Sequence, residues 1–259
     1  MPVHGLHVEE HGSGETLLLH QGLGQGSWAW RYQVPVFVQR FRTIVFDTRG
    51  TGRSEVPAEP YGIEDLAADA AQILDGRPAH VVGFSMGGYV ALTLALARPE
   101  LVRSLVLAGT GAGGPGRVPR PAHVREAFEA ALRLPSEEQR RATLPYTLSA
   151  GWPEANPEQF EEIVAATLEY PTPMKTIETH MAACYAFYGE GVEVERITAR
   201  ALVVHGAEDV IVPPENGRIL ARRLPNARHV EVAGRGHNIQ LEDPKTFNEL
   251  VLGFFSELS

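Results

Sequence analysis

The chain has 259 residues, 44% hydrophobic and 21% charged, which is ordinary globular composition and enough length to bury about three quarters of its unfolded surface without a disulfide or metal staple. A net charge of −9 with no basic run excludes nucleic acid and anionic membranes as expected partners. Cys184 is the sole cysteine, which excludes an intramolecular disulfide and a cysteine-built metal cluster.

Residues 1–4 lack the basic stretch and apolar run of a signal peptide, and no later stretch is apolar and long enough to span a bilayer. The expectation is a cytoplasmic protein of one domain with an insertion, acting on a small molecule without a cofactor.

Leu6 to Glu9 alternates apolar and polar residues and predicts a short strand, followed by the turn Gly12-Ser13-Gly14. Thr16 to His20 predicts a buried strand. It runs into Gln21-Gly22-Leu23-Gly24-Gln25-Gly26, whose three glycines allow close backbone approach with N–H groups exposed. Lying upstream of the serine turn described below, this loop reads as an oxyanion hole; the plainer alternative is a loop that closes a strand. Arg42 to Phe46 predicts the next strand. Asp47 follows it, and Asp47 with Arg49 beside Gly50 and Gly52 reads as a tie for the turn rather than as a catalytic acid. Ile63, Leu66, Ala67, Ala70, Ile73 and Leu74 mark one face of a helix that stops at Asp75-Gly76.

His80 to Phe84 predicts a strand feeding Gly83-Phe84-Ser85-Met86-Gly87, with an Ala/Leu-rich helix from Tyr89 to Ala97. This is G-x-S-x-G at a strand–turn–helix junction. The spacing has a steric reason. A serine on so sharp a turn has strained backbone angles, and the residues two positions to either side must lack a Cβ. The hydroxyl then stands at a helix start, where free N–H groups favour developing negative charge.

Leu105 to Ala108 predicts another strand, and helices alternating with buried strands imply a mostly parallel sheet. Gly111 to Gly116 formally matches G-x-G-x-x-G. Pro115, Pro119 and Pro121 prevent a helix from opening where a pyrophosphate would sit, so a dinucleotide site is rejected. From there to about Arg196 the strand–helix rhythm stops. Three helical stripes follow: Val124 to Leu132, Phe160 to Leu168, and Met174, Ile177, Met181, Cys184, Tyr185 and Tyr188. Residues 112–195 thus predict an all-helical cap over a core of residues 1–111 and 196–259. Trp152, His180, Met181 and Tyr185 are the candidates for lining a substrate pocket beneath it.

The sheet resumes at Ala201 to His205, followed by Asp209 just past the carboxyl end of that strand, where open α/β sheets place ligands. Arg228 to Val232 predicts the last strand. Gly236-His237 follows it, and Phe247 to Phe255 predicts a closing amphipathic helix.

Ser85, Asp209 and His237 each follow a different predicted strand. A serine hydroxyl needs a base within hydrogen-bond reach, imidazole has the pKa for it, and a carboxylate fixes the imidazole tautomer. Glu208 is the rival acid one residue away. Individually Asp209 reads equally as a helix N-cap and His237 as a loop residue; together they read as a Ser-His-Asp triad.

These residues resemble the α/β-hydrolase-fold serine hydrolases. The match runs through His20-Gln21-Gly22-Leu23-Gly24, Asp47 to Ser54, Gly83 to Gly88, His205-Gly206 through Asp209, and Gly236-His237 with Glu242-Asp243-Pro244. It covers the chain outside the cap. Size, cap and Asp47-Thr48-Arg49-Gly50 look most like the 3-oxoadipate enol-lactonase and esterase branch. The resemblance implies a doubly wound sheet of seven or eight strands, with the cap inserted before the last two. It implies oxyanion-hole N–H groups from Leu23 and Met86. Gln21 stands where a glycine usually follows the histidine, which leaves Gly22 as an alternative first donor, and the short N-terminus favours seven strands.

The function expected is hydrolysis of a small carboxylic ester or lactone through an acyl-enzyme on Ser85. The same residues fit C–C bond hydrolysis, lyase chemistry or perhydrolysis, and a hydrolase-like small-molecule receptor is the alternative of another class. Basic residues of the cap read as solvated, which favours an uncharged substrate.

Overall fold

Runs rich in Leu, Val and Ile form the inner strands of this protein, whose computed structural model describes residues 5–258, and more polar sequences form its two edge strands; residues 1–4, read above for a leader, lie outside them. The strands are β1 (Val8–His11), β2 (Glu15–His20), β3 (Phe41–Phe46), β4 (Ala79–Phe84), β5 (Val102–Ala108), β6 (Arg200–Gly206) and β7 (Ala227–Val232). Among the described residues they make a seven-stranded sheet in the order β1-β3-β2-β4-β5-β6-β7. β1 pairs antiparallel with β3, and every other pairing is parallel.

Successive residues of a strand point to opposite faces, so an unbroken apolar run means that both faces are covered. Leu18, Val81, Leu105, Leu107 and Val203 enter one layer; Leu17, Leu19, Val82, Val106 and Val204 enter the other. The short helix α1 (Val34–Phe37) follows β2. α2 (Ile63–Leu74) and α3 (Met86–Ala97) pack on the first layer, and α2 stops at Asp75, in left-handed geometry, before Gly76. No helix among the described residues is long and apolar enough to cross a membrane.

Between β5 and β6 the described chain is helical: α4 (Ala122–Ala131), α5 (Ser136–Thr143), α6 (Trp152–Ala155), α7 (Pro157–Glu169) and α8 (Met174–Glu190). Proline starts these helices, because it lacks the N–H that a first turn leaves unpaired: Pro121, Pro135 and Pro173 cap α4, α5 and α8, and Pro157 opens α7. This insert holds two small apolar clusters. One joins Leu144, Leu148, Trp152, Ile163 and Val164 to Leu241; the other sets Val124 and Phe128 against Val210, Ile211 and Val212. The chain closes with α9 (Pro214–Arg223) between β6 and β7, then α10 (Ile239–Glu242) and α11 (Pro244–Ser256), whose Phe247, Val251, Phe254 and Phe255 complete the second layer.

Candidate active site

β4 ends in a turn that only glycine permits. A Cβ on Gly83 would lie 2.4 Å from the Gly87 carbonyl oxygen, and one on Gly87 would lie 2.2 Å from the His20 carbonyl oxygen. Between them Ser85 is held at φ 53°; among the described residues only it and Asp75 leave the ordinary region without being glycine. The strain is held by two bonds: Ser85 N–H donates to the Ala108 carbonyl at 2.9 Å, and the Thr110 hydroxyl donates to the Ser85 carbonyl at 2.9 Å.

β6 and β7 deliver the other two side chains. The strand ends cross so closely that a Cβ on Gly206 would lie 2.0 Å from the Gly236 carbonyl oxygen. His237 Nε2 lies 3.0 Å from Ser85 Oγ, and His237 Nδ1 lies 2.7 Å from Asp209 Oδ2. With Nδ1–H donating to the carboxylate, Nε2 is left to accept the serine proton. Asp209 Oδ1 accepts the N–H groups of Ile211 at 2.8 Å and Val212 at 2.9 Å. Glu208 is exposed, and its N–H donates to the Arg235 carbonyl, so the rival acid points away.

Asp209 has a further partner. His205, fully buried, donates from Nε2 to the Val212 carbonyl at 2.8 Å and lies 3.2 Å from Asp209 Oδ2. Burial alone pushes the Asp209 carboxyl up. The charges and hydrogen bonds of His237 and His205 outweigh it and hold the group far below the usual carboxylate range. Asp209 is therefore a permanent anion beside His237.

The glycine loop after β2 is pinned from several sides. The Gln21 amide donates to the Phe46 carbonyl at 2.8 Å and to Thr48 Oγ1 at 2.9 Å, which ties the loop to the end of β3. Gly22 N–H donates to Gln25 Oε1 at 3.1 Å, and Gly24 N–H donates to His180 Nδ1 at 3.3 Å. Both neighbours of Leu23 thus have acceptors, whereas the Leu23 and Met86 N–H groups have none among the described residues. Asp47 accepts from the backbone N–H groups of Ser27 at 2.6 Å and Arg53 at 2.9 Å, a turn tie remote from His237.

The four residues expected to line a pocket are placed differently. Tyr185 is 55% exposed. The inner face of α8 is Thr176, Ile177, His180, Ala183, Cys184 and Phe187, and Tyr185 lies one residue, about 100°, past it. Met181 sits half-buried on the flank of that face. His180 is fully buried and bound to Gly24 rather than open to a ligand. Trp152 packs in the apolar cluster with Leu148 and Ile163. It borders a cavity of about 520 Å³ lined also by Ser149, Gln159, Arg235, Glu242 and Lys245, but not by Ser85, Asp209 or His237.

Sequence reasoning gave no role to Glu242, Asn238 or Thr147. Glu242, buried, accepts the N–H groups of Gly236 at 2.8 Å and Ser149 at 3.2 Å, and also the Ser149 hydroxyl. Asn238 donates from its backbone to the Thr147 carbonyl at 2.8 Å and from its side chain to Thr147 Oγ1 at 2.7 Å. The insert therefore holds the backbone after His237 directly, through Thr147, and reaches the backbone before it through Glu242 of α10, which binds both Ser149 and Gly236. Only the quoted Glu242-Asp243-Pro244 run pointed toward any of this. Among the described residues no three His, Cys, Asp or Glu side chains gather as metal ligands.

Comparison with known proteins agrees with this fold. Residues 15–244 match the family described as alpha/beta hydrolase fold. A relative from Azorhizobium caulinodans named "Putative carbamate hydrolase RutD" is 32% identical, the match covering 98% of this chain and 96% of that protein. Among solved structures, Est816, described as an N-acyl homoserine lactone degrading enzyme, superposes with a TM-score of 0.80 at 28% identity, over 96% of each chain. The enol-lactonase from Burkholderia xenovorans LB400 superposes with a TM-score of 0.83 at 27% identity, over 97% of this chain and 96% of that one. The chain belongs to the alpha/beta hydrolase fold family and is a hydrolase.

Proposed function

We propose that this chain cleaves small carboxylic esters or lactones through an acyl-enzyme on Ser85. The observation that carries the reading is the continuous hydrogen-bonded line from Ser85 Oγ through His237 to Asp209, beside two backbone N–H groups without acceptors. Ser85 Oγ attacks the acyl carbon as His237 Nε2 takes its proton. Asp209 stabilises the imidazolium that forms. The Leu23 and Met86 N–H groups receive the charge on the carbonyl oxygen. The imidazolium then protonates the leaving oxygen, and water, activated by the same imidazole, releases the acid. Est816 and the Burkholderia enzyme are named for lactones and the Azorhizobium relative for carbamates. All three groups present an acyl carbon to such a serine.

We assign residues 112–195 as a cap over this site. Val124 and Phe128 pack against Val210 and Ile211, directly after Asp209, and these apolar walls favour a small uncharged substrate.

The test is a panel of p-nitrophenyl esters of rising acyl length beside lactones and aryl carbamates, with Ser85→Ala as the blank. A kcat/KM peaking at acetate or butyrate, a loss of about 10⁴-fold or more in Ser85→Ala, and one phosphonate adduct on Ser85 are expected. Activity retained in Ser85→Ala, or labelling elsewhere, would overturn the assignment, and a preference for long chains would overturn the small pocket.

A further inference from the structure

The segment of the insert that ends in α8 closes on one residue of the glycine loop. Gly24 N–H donates to His180 Nδ1 at 3.3 Å, and Gly24 C=O accepts from the Thr172 hydroxyl at 2.8 Å. Ile177 presses on the same residue: a Cβ on Gly24 would lie 2.5 Å from Ile177 Cδ1. Gly24 has φ 67°, the conformation glycine adopts most freely, and a glycine-rich loop has little rigidity of its own. It therefore needs holding from outside.

The peptide before it matters to chemistry. The Gly22 carbonyl accepts from Gln25 N–H at 3.2 Å, and in a trans peptide this aims the Leu23 N–H in the opposite direction. Gln25 fixes one side of Leu23; His180 and Thr172 fix the other. His180 is suited to this. Burial, and then the neighbouring His20, push its pKa down to about 4 against a hydrogen bond with the Arg49 backbone, so the ring is neutral at neutral pH, and with its proton on Nε2 it leaves Nδ1 to accept. Tyr61 stands edge-on to its ring at 5.6 Å and sets the plane.

We propose that Thr172 and His180 are positioning residues for the oxyanion hole: the seated insert clamps Gly24 at both its N–H and its C=O and so keeps the Leu23 N–H in its donating direction, and lifting the insert disarms the site. The proposal rests on reading Ser85 as nucleophile and Leu23 as donor. Hydrolysis is then confined to the closed insert, because the segment that encloses the substrate also completes the hole.

The experiment measures kcat and KM on p-nitrophenyl acetate, together with affinity for a trifluoromethyl ketone, which forms a hemiketal oxyanion on a reactive serine. The variants are Thr172→Val, His180→Phe and His180→Asn; the last sets an amide oxygen close to where Nδ1 stood. Thr172→Val and His180→Phe should each lower kcat about tenfold, a fraction of the 10²–10³ lost with a whole donor, and KM should move less than about threefold. Ketone affinity should fall in step with kcat, and His180→Asn should recover most of both. Unchanged kcat in Thr172→Val and His180→Phe, or a rise in KM with kcat and ketone affinity intact, overturns the proposal. If His180→Phe does not fold, Thr172→Val against His180→Asn carries the comparison. A wild-type protein that fails to turn over, or a Ser85→Ala variant as active as wild type, overturns the underlying reading as well and is recognised by that control.

Discussion

The sheet and the helical insert solve different problems. In the sheet the strand interiors are apolar on both faces, and the polar residues that matter sit at strand ends, locked by close backbone crossings at Gly83, Gly87 and Gly206. The insert has two small apolar clusters of its own, sets Ala183, Cys184 and Phe187 of α8 into the first core layer, and adds hydrogen bonds at the loops: His180 and Thr172 to Gly24, Thr147 to Asn238, and Ser149 to Glu242. The sheet places the reacting groups at fixed distances. The insert grips the two loops that border them, and because its own clusters are smaller than the core layers it rests on, it is the more easily lifted part.

The comparison is broken most severely at Asp209. Asp209→Asn should cost about 10⁴ in kcat through the wrong imidazole tautomer, while Glu208→Gln, exposed and turned away, should cost less than about twofold; steady-state rates on one ester decide it, and the reverse ranking would move the acid.

Glu242→Gln probes the insert's hold on the His237 loop. It keeps the shape and an oxygen for the Gly236 and Ser149 N–H groups but loses the charge that strengthens those bonds, and it turns the Ser149 hydroxyl from donor to acceptor, so kcat should fall about threefold with a smaller change in KM. A variant with wild-type kcat would show that Gly236 needs no such anchor.

A finer test weighs one histidine in each region. Burial pushes His20 in the sheet and His180 in the insert down to about 4, against about 6.5 in an unfolded chain. Between those values the unfolded chain takes up protons that the fold refuses, so stability falls as pH drops from about 6.5 toward 4, by about 1.4 kcal/mol per pH unit for each histidine. Urea midpoints at pH 7 and pH 5 should show it, and His180→Asn should lower the slope by up to about 1.4 kcal/mol per pH unit, while His20 and the other histidines lowered by burial, His80 and His229, keep the rest. An unchanged slope would mean that His180 takes up its proton without unfolding.

The smallest effect is expected at Tyr185. Tyr185→Ala should shift stability by less than about 0.5 kcal/mol and KM hardly at all, because the ring is on the solvent side of α8.

Much of this was legible in the sequence because burial imposes a period. Doubly buried strands read as apolar runs, and the turn at Ser85 reads from glycines whose absent Cβ atoms the crossing chain requires. What failed had no such signal. α5 buries little beyond Thr143, and α9 is mostly charged and polar, so neither shows a continuous apolar stripe. On α8 the period is legible but its phase is not: the apolar stripe from Met174 to Tyr188 takes in the exposed Met174 and Tyr185 and leaves out His180, which lies at the centre of the buried face. Polar grips such as Thr172 on Gly24 or Glu242 on Gly236 join residues far apart in sequence and leave no pattern in it.

Cys184 makes this division measurable. It is the sole cysteine, lies on the inner face of α8 one turn from His180, and packs into the layer that α3 shares. Burial pushes its thiol up to about 12, so at neutral pH it offers almost no thiolate to an alkylating reagent while the helix is seated. Modification must wait for α8 to lift. The rate at which a thiol reagent colours the folded protein is therefore a clock for the insert's opening, and a ligand that seals the insert should slow that clock without touching the sulfur.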